Sequence, residues 1–286
     1  MGLVVALGGG GIRGLAHLAI LETLRREGIP IRALAGSSAG ALASAMYAFD
    51  LPLDPHLVVQ TLYDPEVERL VQAGTLRQMA RLVTFLRKPH LSEGAGLRGG
   101  YARLFGEQRL EESPIPLALV AADLRTGEAV ALREGLVSEA LKASSAIPSV
   151  FPPVAWDGRI LVDGDVAEKV PVTVARSLAP GPVLAVDISN PYPPVEPKTA
   201  LEAALQAGEA SRRRLLQLAL DKADLVIRLE PPQAIETFDT SQAEYIYQLG
   251  QQRIEAALPA IRELLQAPEP AASRRWWEGW LRRGAR

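Results

Sequence analysis

Ile31-Arg-Ala-Leu-Ala-Gly36-Ser-Ser38-Ala-Gly40 passes from an apolar run, through a Gly-x-Ser-x-Gly turn, into Ala41–Phe49, which has helical composition. A strand that breaks at a serine and turns at once into a helix decides the fold class. Upstream, Leu3 to Leu7 is a second apolar run. It stops at Gly8-Gly9-Gly10-Gly11-Ile12-Arg13-Gly14, and Leu15, Leu18, Ala19, Leu21 and Leu24 then recur at helical spacing until Gly28. Strand, glycine loop, helix, strand, turn and helix predict a mainly parallel sheet covered by helices, a three-layer α/β/α arrangement.

Downstream, Leu117–Ala122, Ala129–Arg133, Arg159–Val162, Val183–Ile188 and Leu225–Leu229 read as strands. Gly135–Ala143, Ala200–Leu220 and Ala243–Leu265 read as helices. Residues 50–110 differ. They carry helical patches at Pro55–Tyr63, Pro65–Ala73 and Leu76–Leu86, then a glycine-bearing stretch, Ser92–Gly100, that reads as loose. This segment is expected to be a helical insertion or a lid with a hinge. The organisation expected is one α/β domain over 1–265, then a Pro-containing linker and basic, Trp-rich tail over 266–286.

Composition narrows the chemistry. The 286 residues are 48% hydrophobic and 22% charged, enough apolar content for a large core. A net charge of −2 makes no case for nucleic acid as a partner. The absence of cysteine removes disulfides, thiolate metal sites and a cysteine nucleophile. No apolar run is long enough to span a membrane, and the N-terminus lacks the basic lead of a signal peptide.

Ser38 sits where a nucleophile would. A sharp strand-to-helix turn lifts its Oγ clear of the backbone, and Gly36 and Gly40 supply the small neighbours such a turn needs. The same residues are also compatible with a plain N-cap turn. Gly9-x-Gly11-x-x-Gly14 has two readings as well. A dinucleotide site would need an acidic residue after the second strand, and none lies between Glu27 and Asp50. Otherwise the loop's amides form an anion site suited to the oxyanion of an acyl-transfer intermediate. As for a base, the histidines are His17, His56 and His90. None follows position 90, so the serine–acid–histidine order of α/β-hydrolases is impossible. His17 lies on a helix at the spacing of Leu21 and Leu24 and reads as a packed or capping residue; His56 and His90 lie beside prolines. The remaining candidate is a carboxylate, Asp163, at a strand end before Gly164.

Gly8–Gly14, Gly36–Gly40 and Asp163-Gly164, with Ala122–Glu128 and Ala143–Pro153 between them, resemble the patatin-like phospholipase family in its small bacterial form. The resemblance runs in order from about Val4 to Val174. It implies an α/β/α fold, hydrolysis of acyl esters of phospholipids or related lipids, and a Ser–Asp dyad needing no metal or organic cofactor. It assigns Ser38 as nucleophile, Asp163 as base, and Gly9, Gly10 and Gly11 with Arg13 around the oxyanion. The family usually continues Asp-Gly with Gly or Ala, where this chain has Asp165. It also often carries an Asn before the proline that is here Pro171. A second carboxylate would raise the pKa of the base unless it turns away or meets a cation. These departures sustain an alternative: a catalytically weak relative that binds lipid or protein. A nicotinamide-dependent oxidoreductase is a third reading.

The tail from Arg274 carries five Arg against one Glu, and Trp276, Trp277, Trp280 and Leu281 fall on one arc of a helix. It is expected either to touch an anionic membrane or to pack on the protein's own surface. The location expected is cytoplasmic, peripheral at the membrane only in the first of these two cases.

Overall fold

The computed structural model describes residues 2–62, 90–191 and 196–266. The helical patches expected at 65–73 and 76–86, and the tail beyond 266, lie outside them. In chain order the elements are β1 (Leu3–Leu7), α1 (Leu15–Arg26), β2 (Ile31–Ser37), α2 (Ala39–Ala48), α3 (Pro55–Thr61) and α4 (Ala95–Phe105). Then come β3 (Leu117–Asp123), β4 (Ala129–Leu132), α5 (Val137–Ser144), β5 (Val154–Trp156), β6 (Arg159–Asp163), α6 (Asp165–Glu168) and α7 (Val172–Leu178). The chain continues through β7 (Val183–Asp187), α8 (Ala200–Leu220), β8 (Leu225–Arg228) and α9 (Ala243–Gln266).

Eight strands form one mixed sheet in the order β5-β6-β3-β2-β1-β7-β8, with β4 paired to β3. The central run β3-β2-β1-β7-β8 is parallel, as expected, and the pairings of β3 with β4 and β6 and of β5 with β6 are antiparallel. β1 lies inside the sheet, between β2 and β7, and is buried along its whole length. Its alternation still sorts side chains to two layers. Leu3, Val5 and Leu7 join the larger core, with Leu18, Leu21 and Leu24 of α1 and Ile246 and Ile254 of α9. Val4 and Ala6 face the other, with Val172 and Ala175 of α7 and Leu216 and Leu220 of α8. Such two-sided burial is what makes a central parallel strand read as an unbroken apolar run.

Two local readings change. Ser92–Gly100 is not loose, because α4 begins at Ala95. One of its glycines serves close packing: a Cβ on Gly100 would collide with the Thr61 carbonyl at the end of α3. Helix-breaking propensity is overridden by that approach. β5 was not anticipated. Its three residues pair antiparallel with β6 and are too few to show a period.

Candidate active site

The register of β3 brings the site together. Ser37, the last residue of β2, pairs with Val120, and Asp163, the last residue of β6, pairs with Ala121. The ends of two strands far apart in sequence therefore meet at consecutive residues of a third. Ser38 follows as the cap of α2, with φ 53° and ψ −119°. This backbone is strained for a residue with a side chain and is typical of functional turns. The turn closes only because its flanks are bare. A Cβ on Gly36 would run into the Gly40 carbonyl, and one on Gly40 into the Leu7 carbonyl.

Ser38 Oγ donates to Asp163 Oδ2 at 2.7 Å, and both residues are buried. The other oxygen, Asp163 Oδ1, accepts the Asp165 amide at 2.9 Å. Burial, reinforced by the Asp165 carboxylate, raises the Asp163 carboxyl to about 7; the bonds from the Asp165 amide and Ser38, and the Lys169 ammonium, act the other way. Asp165 does meet a cation: its Oδ2 lies 3.2 Å from Lys169 Nζ. The elbow is pinned from below as well. The Ser38 amide donates to Ser144 Oγ at 2.9 Å, and that hydroxyl donates to the Val120 carbonyl at 2.6 Å.

The glycine loop crosses the same spot. The Gly8 amide donates to the Val186 carbonyl and the Gly9 amide to the Lys169 carbonyl, both at 3.0 Å. Among the described residues the Gly10 amide has no hydrogen-bond partner. Gly11, at φ 60°, opens a 3-10 turn over Gly11–Gly14. A Cβ on Gly9 would stand 3.2 Å from the Ser38 Cβ, so a side chain there would crowd the serine. Arg13 is buried. Its Nε donates to the Ile188 carbonyl at 2.9 Å and its Nη1 to the Ile235 carbonyl, tying the loop to the segments after β7 and β8.

The histidines do not join Asp163. His17 is fully buried, its Nε2–H donates to the Gly8 carbonyl at 2.8 Å, and burial lowers its pKa to about 4. It is a neutral prop beneath the glycine loop, in line with the packed role expected for it. His56 lies in the first turn of α3, where its amide bonds to Asp54. His90 Nε2 is 3.7 Å from Glu93.

A cavity of about 180 Å³ opens beside Ser38. Its walls are mostly apolar: Ile12, Leu15, Leu18, Leu42, Val58, Leu97, Ile147 and Phe151 among them. Polar side chains break that surface at several points, Tyr101 and Ser145 among them, with the Tyr101 hydroxyl donating to Ser145 Oγ at 3.0 Å. Burial pushes the Tyr101 hydroxyl well above its ordinary pKa, so it stays a neutral donor. Sequence reasoning assigned no role to Tyr101, Ser144 or Lys169. The spacing Asp165-x-x-x-Lys169 was a readable signal; for the other two only tertiary contact is informative.

Fold and site define an α/β protein built on a strand–serine–helix elbow with a carboxylate against the serine. The chain belongs to the patatin-like phospholipase family, whose family model matches residues 5–176. An uncharacterized NTE family protein of Mycobacterium tuberculosis is 31% identical over 198 residues, covering 68% of this chain and 31% of that protein. Lysophospholipase NTE1 of Saccharomyces cerevisiae is 26% identical over 278 residues, covering 87% of this chain and 16% of that one. The chain thus spans about a third or less of the length of these relatives. Among solved structures it is similar to VipD from Legionella pneumophila, with TM-score 0.49 and 14% identity over 90% of this chain and 66% of that one. Among the described residues no helix is long and apolar enough to cross a membrane.

Proposed function

We propose that the protein is a serine lipid acyl hydrolase that cleaves carboxylic esters of phospholipids or related lipids with Ser38 as nucleophile and Asp163 as general base. The observation that carries this reading is the buried 2.7 Å bond from Ser38 Oγ to Asp163 Oδ2 at a strained elbow. A base must be deprotonated yet able to hold a proton, and a carboxyl raised to about 7 meets both needs near neutral pH. Membership of the patatin-like phospholipase family and the printed activity of the yeast relative support the lipid substrate class.

In the first step Ser38 Oγ attacks the ester carbonyl carbon while its proton passes to Asp163 Oδ2. The carbonyl oxygen becomes an oxyanion facing the glycine loop. Gly10 offers an amide with no other partner among the described residues, and Gly11, at the start of a helical turn, offers a second. Gly9 contributes by its missing side chain, and Arg13 by holding the loop in place. The intermediate collapses, and the alcohol leaves with the proton from Asp163. Water then gives a proton to Asp163 and attacks the acyl-serine. Collapse returns that proton to Ser38 Oγ and frees the fatty acid. The apolar cavity beside Ser38 suits the acyl chain.

The intact contact between Ser38 and Asp163 favours this reading over a binding module with a decayed site. Fatty-acid release from phospholipids and from p-nitrophenyl esters of graded chain length tests it. Wild type is expected to turn over and Ser38→Ala to fall by several orders of magnitude. Equal turnover by the two proteins would refute the assignment.

A further inference from the structure

Asp165 opens α6, and Lys169 stands four positions on, just past its last residue, with their side chains 3.2 Å apart. Four residues are too few to hold a helical turn through backbone bonds alone. An acid four residues before a base is the stabilising order on a helix. The pair also sits between the two halves of the site. On one side the Asp165 amide donates to Asp163 Oδ1 at 2.9 Å. On the other, the Lys169 carbonyl accepts the Gly9 amide at 3.0 Å, and a Cβ on Gly9 would lie 3.6 Å from that of Asp165. Glycine loop, Lys169, Asp165, Asp163 and Ser38 form a closed ring of contacts, because Gly9 lies against Ser38.

The electrostatics of this ring are lopsided. Asp165 Oδ2 meets the ammonium, while Asp165 Oδ1 is buried and has no hydrogen-bond partner among the described residues. The uncompensated part of the Asp165 charge therefore falls on Asp163. The other side chains that act on or feel Asp163 are uncharged at neutral pH: Ser38 at the head of α2, bonded to it, and Tyr101 on α4. Asp165 and Lys169 are the charged side chains that act on the base.

We propose, on the reading of Ser38 and Asp163 given above, that the Asp165–Lys169 ion pair is a positioning strut that holds base and glycine loop in register and sets the pH at which the base works. Asp165 sets a like charge against the base, and Lys169 limits the effect of that charge. The two residues thus pull the base in opposite directions.

The test is kcat/KM against pH for a soluble ester, using wild type, Asp165→Asn, Lys169→Met and Lys169→Arg. The acid limb of the profile reports the base in the free enzyme. Removing the like charge is expected to move that limb to lower pH, and removing the cation to move it to higher pH, each by about half a unit or more. Lys169→Arg keeps the charge and is expected to restore the wild-type limb. Should Asp165→Asn fail to fold, the contrast between Lys169→Met and Lys169→Arg still decides. A merely structural pair would lower the plateau in every variant and leave the limbs in place, and that result overturns the proposal. If Asp163→Asn is inactive and the limbs do not move, this inference alone is lost. If hydrolysis survives Asp163→Asn, the underlying assignment is lost with it.

Discussion

His17 Nε2 reaches the carbonyl of Gly8 at 2.8 Å, across the start of the glycine loop and beneath the site. A histidine against the glycine loop invites assignment as a base. Its direction, its full burial and a pKa lowered to about 4 give it another task. His17→Phe is expected to leave the Gly8 carbonyl without this donor and to destabilise the fold by about 1–3 kcal/mol. Chemical denaturation measures that loss. The acid limb of the pH–rate profile should stay where it is in wild type if, as proposed, the base is Asp163.

Asp163 itself is expected to reduce stability at neutral pH. Its folded-state value of about 7 lies above the ordinary carboxyl value of 3.8, so the folded protein holds the proton more tightly. That contribution is fully present below the ordinary value and is lost as pH rises through about 7. Asp163→Asn removes the buried charge. It should melt higher than wild type at pH ~8, by a margin on the order of 4 kcal/mol at most, and the advantage should vanish near pH ~4. Thermal melts of both proteins across this range check it. His17 works in the opposite sense: its lowered value means stability is lost as pH falls from 6.5 towards about 4. The two effects partly cancel in wild type, so acid sensitivity should be sharper in Asp163→Asn.

Ser144 carries the elbow from beneath. Replacing it with alanine strips the Ser38 amide of its acceptor and the Val120 carbonyl of a donor, both in buried surroundings. The expected loss is about 1–3 kcal/mol in a urea titration. A lower kcat with KM nearly unchanged would follow from a loosened nucleophile.

The cavity beside Ser38 should set chain length. Ile147 lines it, and Ile147→Trp would fill part of its volume. Hydrolysis of a palmitoyl ester is expected to fall at least tenfold relative to a butyryl ester, read as the ratio of the two kcat/KM values. An unchanged ratio would mean that the acyl chain lies elsewhere.

Much of this site was legible because its parts are local. Gly36-x-Ser38-x-Gly40 and the Gly8–Gly14 loop each announce a strand end, a turn and a helix start within a few residues. The lack of a histidine beyond position 90 pointed to a carboxylate, and the family motif to Asp163. What stayed hidden depends on registers and contacts that no local pattern encodes. The meeting of Ser37 and Asp163 follows from their pairing with neighbouring residues of β3, in strands more than 120 positions apart. Ser144 and Tyr101 acquire roles only through what they touch. The glycines in the first turns of α4 misled because propensity was weighed without the packing that overrides it at Gly100.

The central claim is that Ser38 is activated by Asp163. Covalent labelling with a fluorophosphonate, read by mass spectrometry of the digested protein, tests it most directly. The account predicts one adduct, on the peptide holding Ser38. Its rate should rise with a midpoint near 7 as Asp163 loses its proton, fall steeply in Asp163→Asn, and vanish in Ser38→Ala. An adduct on another residue, or a rate on Ser38 unchanged in Asp163→Asn, would contradict it.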